Sequence, residues 1–240
     1  MTDAGLTFLR AESMTLQEKA RTFQSTHHPR HDRHGLISPC GLDEYGNLDS
    51  WHLMTNDNDG LQTGENTMGL AYRYMASIKN GGQGDEEARL LAWNGFEAME
   101  HLSVITGSYP TFTARTLCKV SDGDIGCDPP DPDCWYECWH DAPDRPGWQY
   151  KGDTSSDELT GHFATYALIH DHIAKTDEER ERVLRLYEGL LMGIIDNDLY
   201  FIDPFTGSRT FWGFWNPKEL NHEPEHYSER GLNSLQILSW

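Results

Sequence analysis

The sequence predicts an all-α protein built from antiparallel helical hairpins, in one domain over residues 1–240. Three segments begin with a Ser or Thr that is followed three residues later by Glu, the capping-box pattern of a helix N-terminus. Apolar stripes with helical spacing follow each of these segments. Short connections join the predicted helices in pairs, whereas the connections between pairs are long and rich in Gly, Pro, Asp and Trp. Long loops of this kind are often functional.

The first three helices follow from their start and stop signals. The capping box Thr15–Glu18 predicts a helix that runs to about residue 25. A second helix is predicted over 63–78, and the following Asn-Gly-Gly segment ends it. Asp85 caps a third helix, which Gly107 ends. The second and third helices are joined by a short connection and form a hairpin.

The second half of the chain repeats this pattern. The capping box Ser155–Glu158 predicts a fourth helix, and Thr176–Glu179 predicts a fifth directly after it. A sixth helix is predicted from about Glu229 and is cut off at Trp240, so we expect the domain to be truncated at its C-terminus.

The negative charge of the chain disfavours some classes of binding partner. The sequence has 19 Lys and Arg against 39 Asp and Glu, which gives a formal charge of −20. Nucleic acids and anionic membranes are polyanions, so neither is expected as the main partner. Neutral sugars, cations and metal ions stay compatible with this charge. No apolar run approaches the roughly 20 residues that span a bilayer, and no signal peptide is visible, so no membrane insertion is expected.

Four of the five cysteines lie close together in one predicted loop, at positions Cys118, Cys127, Cys134 and Cys138. Their spacing lacks the paired C-x-x-C pattern of a zinc site. Two disulfides that pin a long surface loop fit better, and they predict an extracellular or secretory compartment. Reduced cysteines are the alternative. A His-rich stretch over 27–34 resembles no closed zinc site and predicts a solvated loop.

An acidic motif, Asn-Asp-Asn-Asp-Gly, precedes the second predicted helix and contains Asp57 and Asp59. The two carboxylates suit an active site at a helix N-terminus, but a turn with a helix cap explains the same residues. A calcium loop is a third reading. It is disfavoured in EF-hand register, because Thr55 and Asn66 would occupy the first and last ligand positions.

A second acidic motif lies at the start of the fourth predicted helix. The capping box accounts for Ser155 and Glu158 but not for Asp153 and Asp157. Glu158 and His162 are four residues apart and share a helix face, where a carboxylate beside an imidazole suits acid–base chemistry or metal binding. The alternative is an acidic first turn that the helix dipole favours.

Arg115 and two tryptophans are the remaining candidates. The Arg115 guanidinium either binds a substrate hydroxyl or carboxylate or holds one of the acidic loops. Trp212 and Trp215 suit stacking on the apolar faces of sugar rings, beside the polar Asn216. Packing of these rings on the helix layer is an equally good explanation for either Trp alone.

Several of these motifs together resemble a poorly characterised group of bacterial and eukaryotic proteins similar to six-hairpin glycosidases, the (α/α)6 toroids. The resemblance covers the chain from about Arg30 onward. The shared motifs are, in order, Arg30-His-Asp-Arg-His-Gly35, Asn56-Asp-Asn-Asp-Gly60, Ala114-Arg-Thr116, Gly152-Asp-Thr-Ser-Ser-Asp-Glu158 with Gly161-His162, Trp215-Asn-Pro217 and Glu229-Arg-Gly-Leu-Asn-Ser234. The resemblance implies an antiparallel toroid in which the acidic loops meet at one end. A complete ring needs six hairpins, twice the number that the predicted helices supply, so we expect a partial toroid.

Glycoside hydrolases and polysaccharide lyases both use this scaffold, so the fold does not choose between them. The leading expectation is a glycoside hydrolase acting on an oligo- or polysaccharide through paired carboxylates. The predicted catalytic residues are Asp59, Asp157 and Glu158, and the predicted substrate-binding residues are Asp57, Arg115, Asp153, His162, Trp212 and Trp215.

Two alternatives stay open. A lyase would use His162 or Tyr166 as the base at a uronate and Arg115 to neutralise its carboxylate. A non-catalytic glycan- or calcium-binding module is the second alternative. No cofactor is expected, with a calcium ion at Asp57 and Asp59 as the alternative.

Overall fold

The computed structural model describes residues 13–123, 127, 134 and 136–240. Helices dominate this part of the chain. A π-helical turn, Ile169–Ile173, continues the fourth helix toward the fifth. The α-helices of the described residues are α1 (Leu16–His31), α2 (Asp59–Lys79), α3 (Glu86–Val104), α4 (Ser156–Leu168), α5 (Asp177–Ile195), α6 (Pro217–His222) and α7 (Arg230–Ser239).

The described strands form four small antiparallel sheets, in the orders β1-β2, β3-β4, β5-β7-β6 and β8-β9. In the three-stranded sheet, Leu117 pairs with Tyr150, which in turn pairs with His140. The strands are β1 (Asp32–Arg33), β2 (Leu36–Ile37), β3 (Cys40–Leu42), β4 (Trp51–Leu53), β5 (Thr116–Lys119), β6 (Trp139–Asp141), β7 (Trp148–Lys151), β8 (Tyr200–Ile202) and β9 (Arg209–Phe214).

The all-α prediction is wrong. The described part of the chain is 53% helix and 14% strand, a mixed α/β fold in which helices dominate. The strands lie in the loops that the sequence predicts as irregular connections. They are only two to six residues long, too short for alternation of apolar and polar residues to identify them.

Two of the three predicted capping boxes are confirmed, at the starts of α1 and α5. Asp85 also caps α3, where its carboxylate accepts the Ala88 N–H at 3.1 Å. The capping box predicted at Ser155 is wrong, because the Ser155 hydroxyl makes no hydrogen bond to the first turn of α4. The Glu158 carboxylate instead crosses to α2 and accepts the backbone N–H of Leu61 at 3.0 Å. A long-range contact has therefore replaced a local one.

The boundaries of the first two helices also differ from prediction. Helix α1 runs to His31, so the segment predicted as a solvated histidine loop is helical over most of its length. Helix α2 begins at Asp59, inside the first acidic motif and four residues earlier than predicted. This early start matters for the site, because it places Asp59 on the helix and leaves Asp57 in the loop ahead of it.

The core lies between helices α2, α3, α4 and α5, where Phe96, Phe163 and Leu186 are buried. Glycines let α2 and α4 approach closely at their N-terminal ends. A Cβ on Gly64 would stand 2.9 Å from the Gly161 carbonyl oxygen, and a Cβ on Gly161 would stand 2.8 Å from the Leu61 Cα. Any larger residue would force the helices apart. The crossing therefore brings the two acidic motifs to the same end of the molecule.

The predicted disulfides are present, and they pair Cys118 with Cys127 and Cys134 with Cys138. Cys40 is a free, half-buried thiol. Disulfides persist in oxidising compartments, so the pairing is compatible with a secreted protein. None of the helices in the described ranges is both long and apolar enough to cross a membrane.

Candidate functional site

The N-terminal ends of α2, α4 and α7 surround a pocket of about 460 Å³, called here the main pocket. Both acidic motifs contribute to its wall, together with part of the cysteine-rich loop and strand β9. Four carboxylates line the pocket beside one guanidinium and two aromatic rings. The lining residues are Asp57, Asn58, Arg115, Tyr136, Glu137, Ser155, Ser156, Asp157, Trp212, Glu229 and Leu232.

Asp57 stands on one side of the main pocket and forms an ion pair with Lys151 of β7. Burial acts to raise the pKa of Asp57, but the hydrogen bond and the charge of Lys151 outweigh this effect and lower it. The Asp57 carboxylate is therefore held in its ionised form. An ionised carboxylate can act as a base or as a nucleophile.

Asp157 stands on another side of the main pocket, in the first turn of α4. Its side chain is exposed and makes no hydrogen bond or ion pair with any residue in the described ranges. Glu229, the N-cap residue of α7, also lines the pocket and accepts the Ser228 hydroxyl at 2.9 Å. These carboxylates have few protein partners and are available to a ligand.

Glu137 is a pocket residue that the sequence analysis missed. It lies inside the short loop that the Cys134–Cys138 disulfide closes, with a positive φ of 50°. Its carboxylate is 3.2 Å from the Lys151 Nζ and 3.7 Å from an Arg115 Nη. The disulfide and these two cations fix Glu137 in the pocket wall.

Arg115 connects the two acidic motifs through hydrogen bonds to their backbone carbonyl groups. Its Nε donates to the Asp153 carbonyl oxygen at 2.7 Å, and its Nη1 donates to the Asp57 carbonyl oxygen at 3.4 Å. The residue is only 4% exposed, yet it lines the main pocket. Arg115 therefore holds the acidic loops together while it presents positive charge to the pocket, which combines both roles that its sequence position suggests.

The aromatic side of the pocket differs from the predicted tryptophan pair. Trp212 lines the pocket and packs edge-on against Phe211, whose ring contacts Tyr136 in turn. These rings offer an apolar surface at the pocket rim. Trp215 is 1% exposed, and its Nε1 donates to the Gln236 side chain at 2.8 Å. Its indole is therefore part of the core, at a distance from the pocket lining.

Asp59 is buried beneath the pocket. Its Oδ2 is 2.5 Å from the Arg33 Nη2 and accepts the Thr116 hydroxyl, and neither charged side chain is more than 2% exposed. Burial raises the pKa of Asp59, and the charge of Arg33 opposes this rise. The carboxylate is thus the counterion of a buried arginine, and it does not line the pocket.

Glu158 and His162 form a second buried pair behind the main pocket. Glu158 Oε1 is 3.8 Å from His162 Nε2, and His162 Nδ1 contacts the Tyr166 hydroxyl at 2.7 Å. Burial raises the pKa of Glu158 well above its usual value and lowers that of His162 to about 3. Burial therefore favours the neutral form of both groups.

The predicted calcium position is occupied by protein contacts. Lys151 pairs with Asp57 and Arg33 pairs with Asp59, so each carboxylate already has a cation beside it. Among the described residues, no group of three or more His, Cys, Asp or Glu side chains has the arrangement of a metal site. Calcium at this motif stays an untested prediction.

The comparisons with known proteins add no functional information. The chain matches no family model, and neither curated proteins nor solved structures include a significant match to it. The resemblance to six-hairpin glycosidases therefore stays a prediction from sequence motifs. Functional inference rests on the chemistry of the main pocket.

Proposed function

We propose that the protein is a glycoside hydrolase whose active site is the main pocket. The observation that carries this proposal is that Asp57 and Asp157, from two acidic motifs distant in sequence, line one pocket beside the half-buried ring of Trp212. Glycoside hydrolysis needs two carboxyl groups on either side of the scissile bond. Aromatic rings beside such a pair suit the stacking of a sugar.

The surroundings of the two carboxylates suggest their roles. Asp57 is kept ionised by Lys151, which suits the base or nucleophile. Asp157 is exposed and makes no side-chain hydrogen bond or ion pair in the described ranges, so its carboxyl group is free to meet the glycosidic oxygen as the general acid. Glu229 and Arg115 then bind sugar hydroxyls.

This proposal changes the catalytic pair predicted from the sequence. Asp157 remains a proposed catalytic residue. Asp57 replaces Asp59 as its partner, because Asp59 forms a buried ion pair with Arg33 and does not line the pocket. Glu158, His162 and Tyr166 are fully buried, which leaves the lyase alternative without an accessible base at these positions. The acidic lining also disfavours a uronate. The two disulfides support secretion, where soluble or wall polysaccharides would be the substrates.

The Asp157→Asn change tests the proposal. We expect kcat/KM on a cleavable oligosaccharide to fall by about a thousandfold, the usual contribution of a positioned acid or base. The melting temperature stays the same, since the Asp157 carboxylate has no partner in the described ranges. Asp57→Asn should have a comparable effect on turnover. Mass spectrometry of the products from a panel of oligosaccharides measures the cleavage.

A matched control is Asp49→Asn, which removes one negative charge from an exposed loop outside the pocket. Cleavage that survives both pocket changes would overturn the assignment. Products with a new double bond, which absorb in the near ultraviolet, would identify a lyase. Binding without any turnover in the native protein, lost on Trp212→Ala, would identify a glycan-binding module.

A further inference from the structure

A second pocket of about 280 Å³ lies next to the main pocket, and Glu137 lines both. Its wall is formed by strand β6, by the loop before α4 and by the turn between β8 and β9. Both carboxylates and hydrogen-bond donors line it. Besides Glu137, the lining includes His140, Asp153, Asp203, Thr206 and Arg209.

His140 is a buried polar residue that lines this pocket without a hydrogen-bond partner among the described residues. It is 4% exposed, and its ring nitrogens make no hydrogen bond to any residue in the described part of the chain. One face of the imidazole stacks on Phe205, with ring centroids 3.9 Å apart. Burial lowers the pKa of His140, so the ring is neutral and can accept a hydrogen bond.

Asp153 supplies an unsatisfied carboxylate oxygen at the same place. Its Oδ1 accepts the Phe211 N–H at 2.6 Å, whereas its Oδ2 is shielded from solvent and has no donor of good geometry among the described residues, with the Glu137 N–H as a weaker partner of the carboxylate. Asp203 lies next to it, and its Oδ2 accepts the Asp153 N–H at 2.9 Å. A buried carboxylate oxygen without a donor is costly, and a ligand that donates hydrogen bonds relieves that cost.

Gly152 lies in close contact with two of these groups. A Cβ at this position would stand 3.3 Å from the His140 Nε2 and still closer to the Asp203 carboxylate. A side chain at this position would therefore clash with the carboxylate, so glycine lets the backbone pass beside the imidazole and the carboxylate of the pocket wall.

The charge around both pockets favours a cation. Four carboxylates line the main pocket and two more line the second, whereas only Arg115 and Arg209 contribute guanidinium groups among the described lining residues. The Arg209 charge is shared with Glu219, at 3.9 Å. The whole chain carries a formal charge of −20. Such an acidic surface attracts cationic ligands and repels anions.

We propose that the second pocket binds the protonated amine of an amino sugar, and that the substrate is an oligosaccharide with free amino groups. An ammonium group has three N–H donors, which match the free Asp153 oxygen, the Asp203 carboxylate and the His140 ring. An N-acetyl group lacks the charge and has only one N–H. The proposal rests on the proposed glycosidase function, since it names the substrate of that site.

Asp153→Asn is the sharpest test of the pocket. The asparagine keeps the Oδ1 acceptor for Phe211 and tolerates the positive φ of 57° at this position, while it replaces the free oxygen by an NH₂ group. That group repels an ammonium. Binding is measured by calorimetry in the Asp157→Asn background, which prevents cleavage. The ligands are trimers of glucosamine, N-acetylglucosamine and glucose at mildly acidic pH, where the amine is protonated.

The glucosamine trimer should bind about tenfold more tightly than the other two, as expected for one hydrogen bond to a charged group. Asp153→Asn should abolish this preference and leave the affinity for the acetylated trimer unchanged. Asp49→Asn, which removes the same charge outside both pockets, should keep the preference.

The outcomes separate this inference from the proposed function. Equal binding of all three trimers, with cleavage that depends on Asp157, would overturn the amine site and leave the glycosidase standing. The same result follows if Asp49→Asn weakens the preference as much as Asp153→Asn, because the effect would then be overall charge. No binding and no cleavage of any oligosaccharide would overturn both proposals.

Discussion

Asp57 and Asp59 are two residues apart but have opposite surroundings. Asp57 remains in the loop and lines the main pocket, where Lys151 keeps it ionised. Asp59 is the first residue of α2, and its side chain turns inward to a buried arginine. The position of the helix start therefore decides which carboxylate can meet a substrate. Both are acidic residues of one motif in the sequence, and only the location of Arg33 distinguishes them.

Asp59→Asn is expected to destabilise the protein. The change leaves the Arg33 guanidinium, which is 2% exposed, without its counterion. Removing one partner of a buried ion pair costs about 3–5 kcal/mol. Urea denaturation should show this loss in the free energy of unfolding. The Asp157→Asn protein is the control and should unfold like the native chain. An unfolding free energy equal to the control would mean that Arg33 needs no counterion.

Seven lining residues of the main pocket have a charged or aromatic side chain, and the sequence predicts four of them as site residues. The predicted Asp57, Arg115, Asp157 and Trp212 all line the main pocket, because motifs at helix starts and in long loops indicate where polar side chains collect. Tyr136 and Glu137 are not predicted, because the spacing of the cysteines indicates only a disulfide-bonded loop. An acidic residue enclosed by two cysteines was the available signal. Glu229 belongs to a predicted helix start and to one of the motifs of the family resemblance, but neither predicts a place for it in the site.

At the scale of elements, the pocket depends on the crossing of α2 and α4. Their glycines allow close approach, and Glu158 bonds across the gap to the first turn of α2. This hydrogen bond fixes the loop that carries Asp57 relative to the turn that carries Asp157. Glu158 is therefore a positioning residue in the proposed mechanism, although its sequence context predicts a catalytic carboxylate.

Glu158→Gln should change how stability depends on pH. The pKa of Glu158 in the folded state is raised well above its unfolded value by burial. Its stabilising contribution is therefore complete below the unfolded pKa and is lost as pH rises through the folded pKa. Glutamine cannot ionise, and its oxygen still accepts the Leu61 N–H. Thermal unfolding between about pH 5 and pH 9 should give a flatter profile for the variant, which is more stable than the native protein at the alkaline end.

The matched variant Glu158→Ala loses the hydrogen bond and leaves a cavity, so we expect it to be about 3 kcal/mol less stable than the native protein at about pH 5, with a smaller difference as pH rises, because alanine cannot ionise either. Its turnover should fall as well, through a displaced Asp57 loop. If the glutamine and native profiles have the same slope, Glu158 does not titrate over this range.

The elements themselves were predictable to different degrees. The helices carry apolar stripes over many residues, so α2 to α5 were found with small errors at their ends. The strands are not predicted, since each has only two to six residues, too few to show a pattern of apolar and polar side chains. Most of them form local hairpins, such as β1 with β2 and β8 with β9, whereas β5 pairs with β7 from a more distant part of the sequence.

At the scale of the whole molecule, the helical core and the disulfide-bonded loop are separate structural parts. The disulfides link residues outside helices α2 to α5, which bury the main hydrophobic cluster. The Cys134–Cys138 bridge instead holds Glu137 between the two pockets. An oxidising compartment would therefore maintain the binding surface more than the fold.

Reduction should consequently impair the site before it unfolds the core. Closing a five-residue loop contributes about 2 kcal/mol in the chain-entropy description, so the double change of Cys134 and Cys138 to Ser should lower stability by this amount. Circular dichroism should still show the native helical signal, while sugar binding weakens because Glu137 is no longer fixed. Cys40→Ser, which removes the free thiol, is the control and should change neither property.

Mass spectrometry of the native protein should find four of its five cysteines protected from alkylation. Five reactive thiols in freshly isolated protein would contradict both the secreted location and this role of the loop.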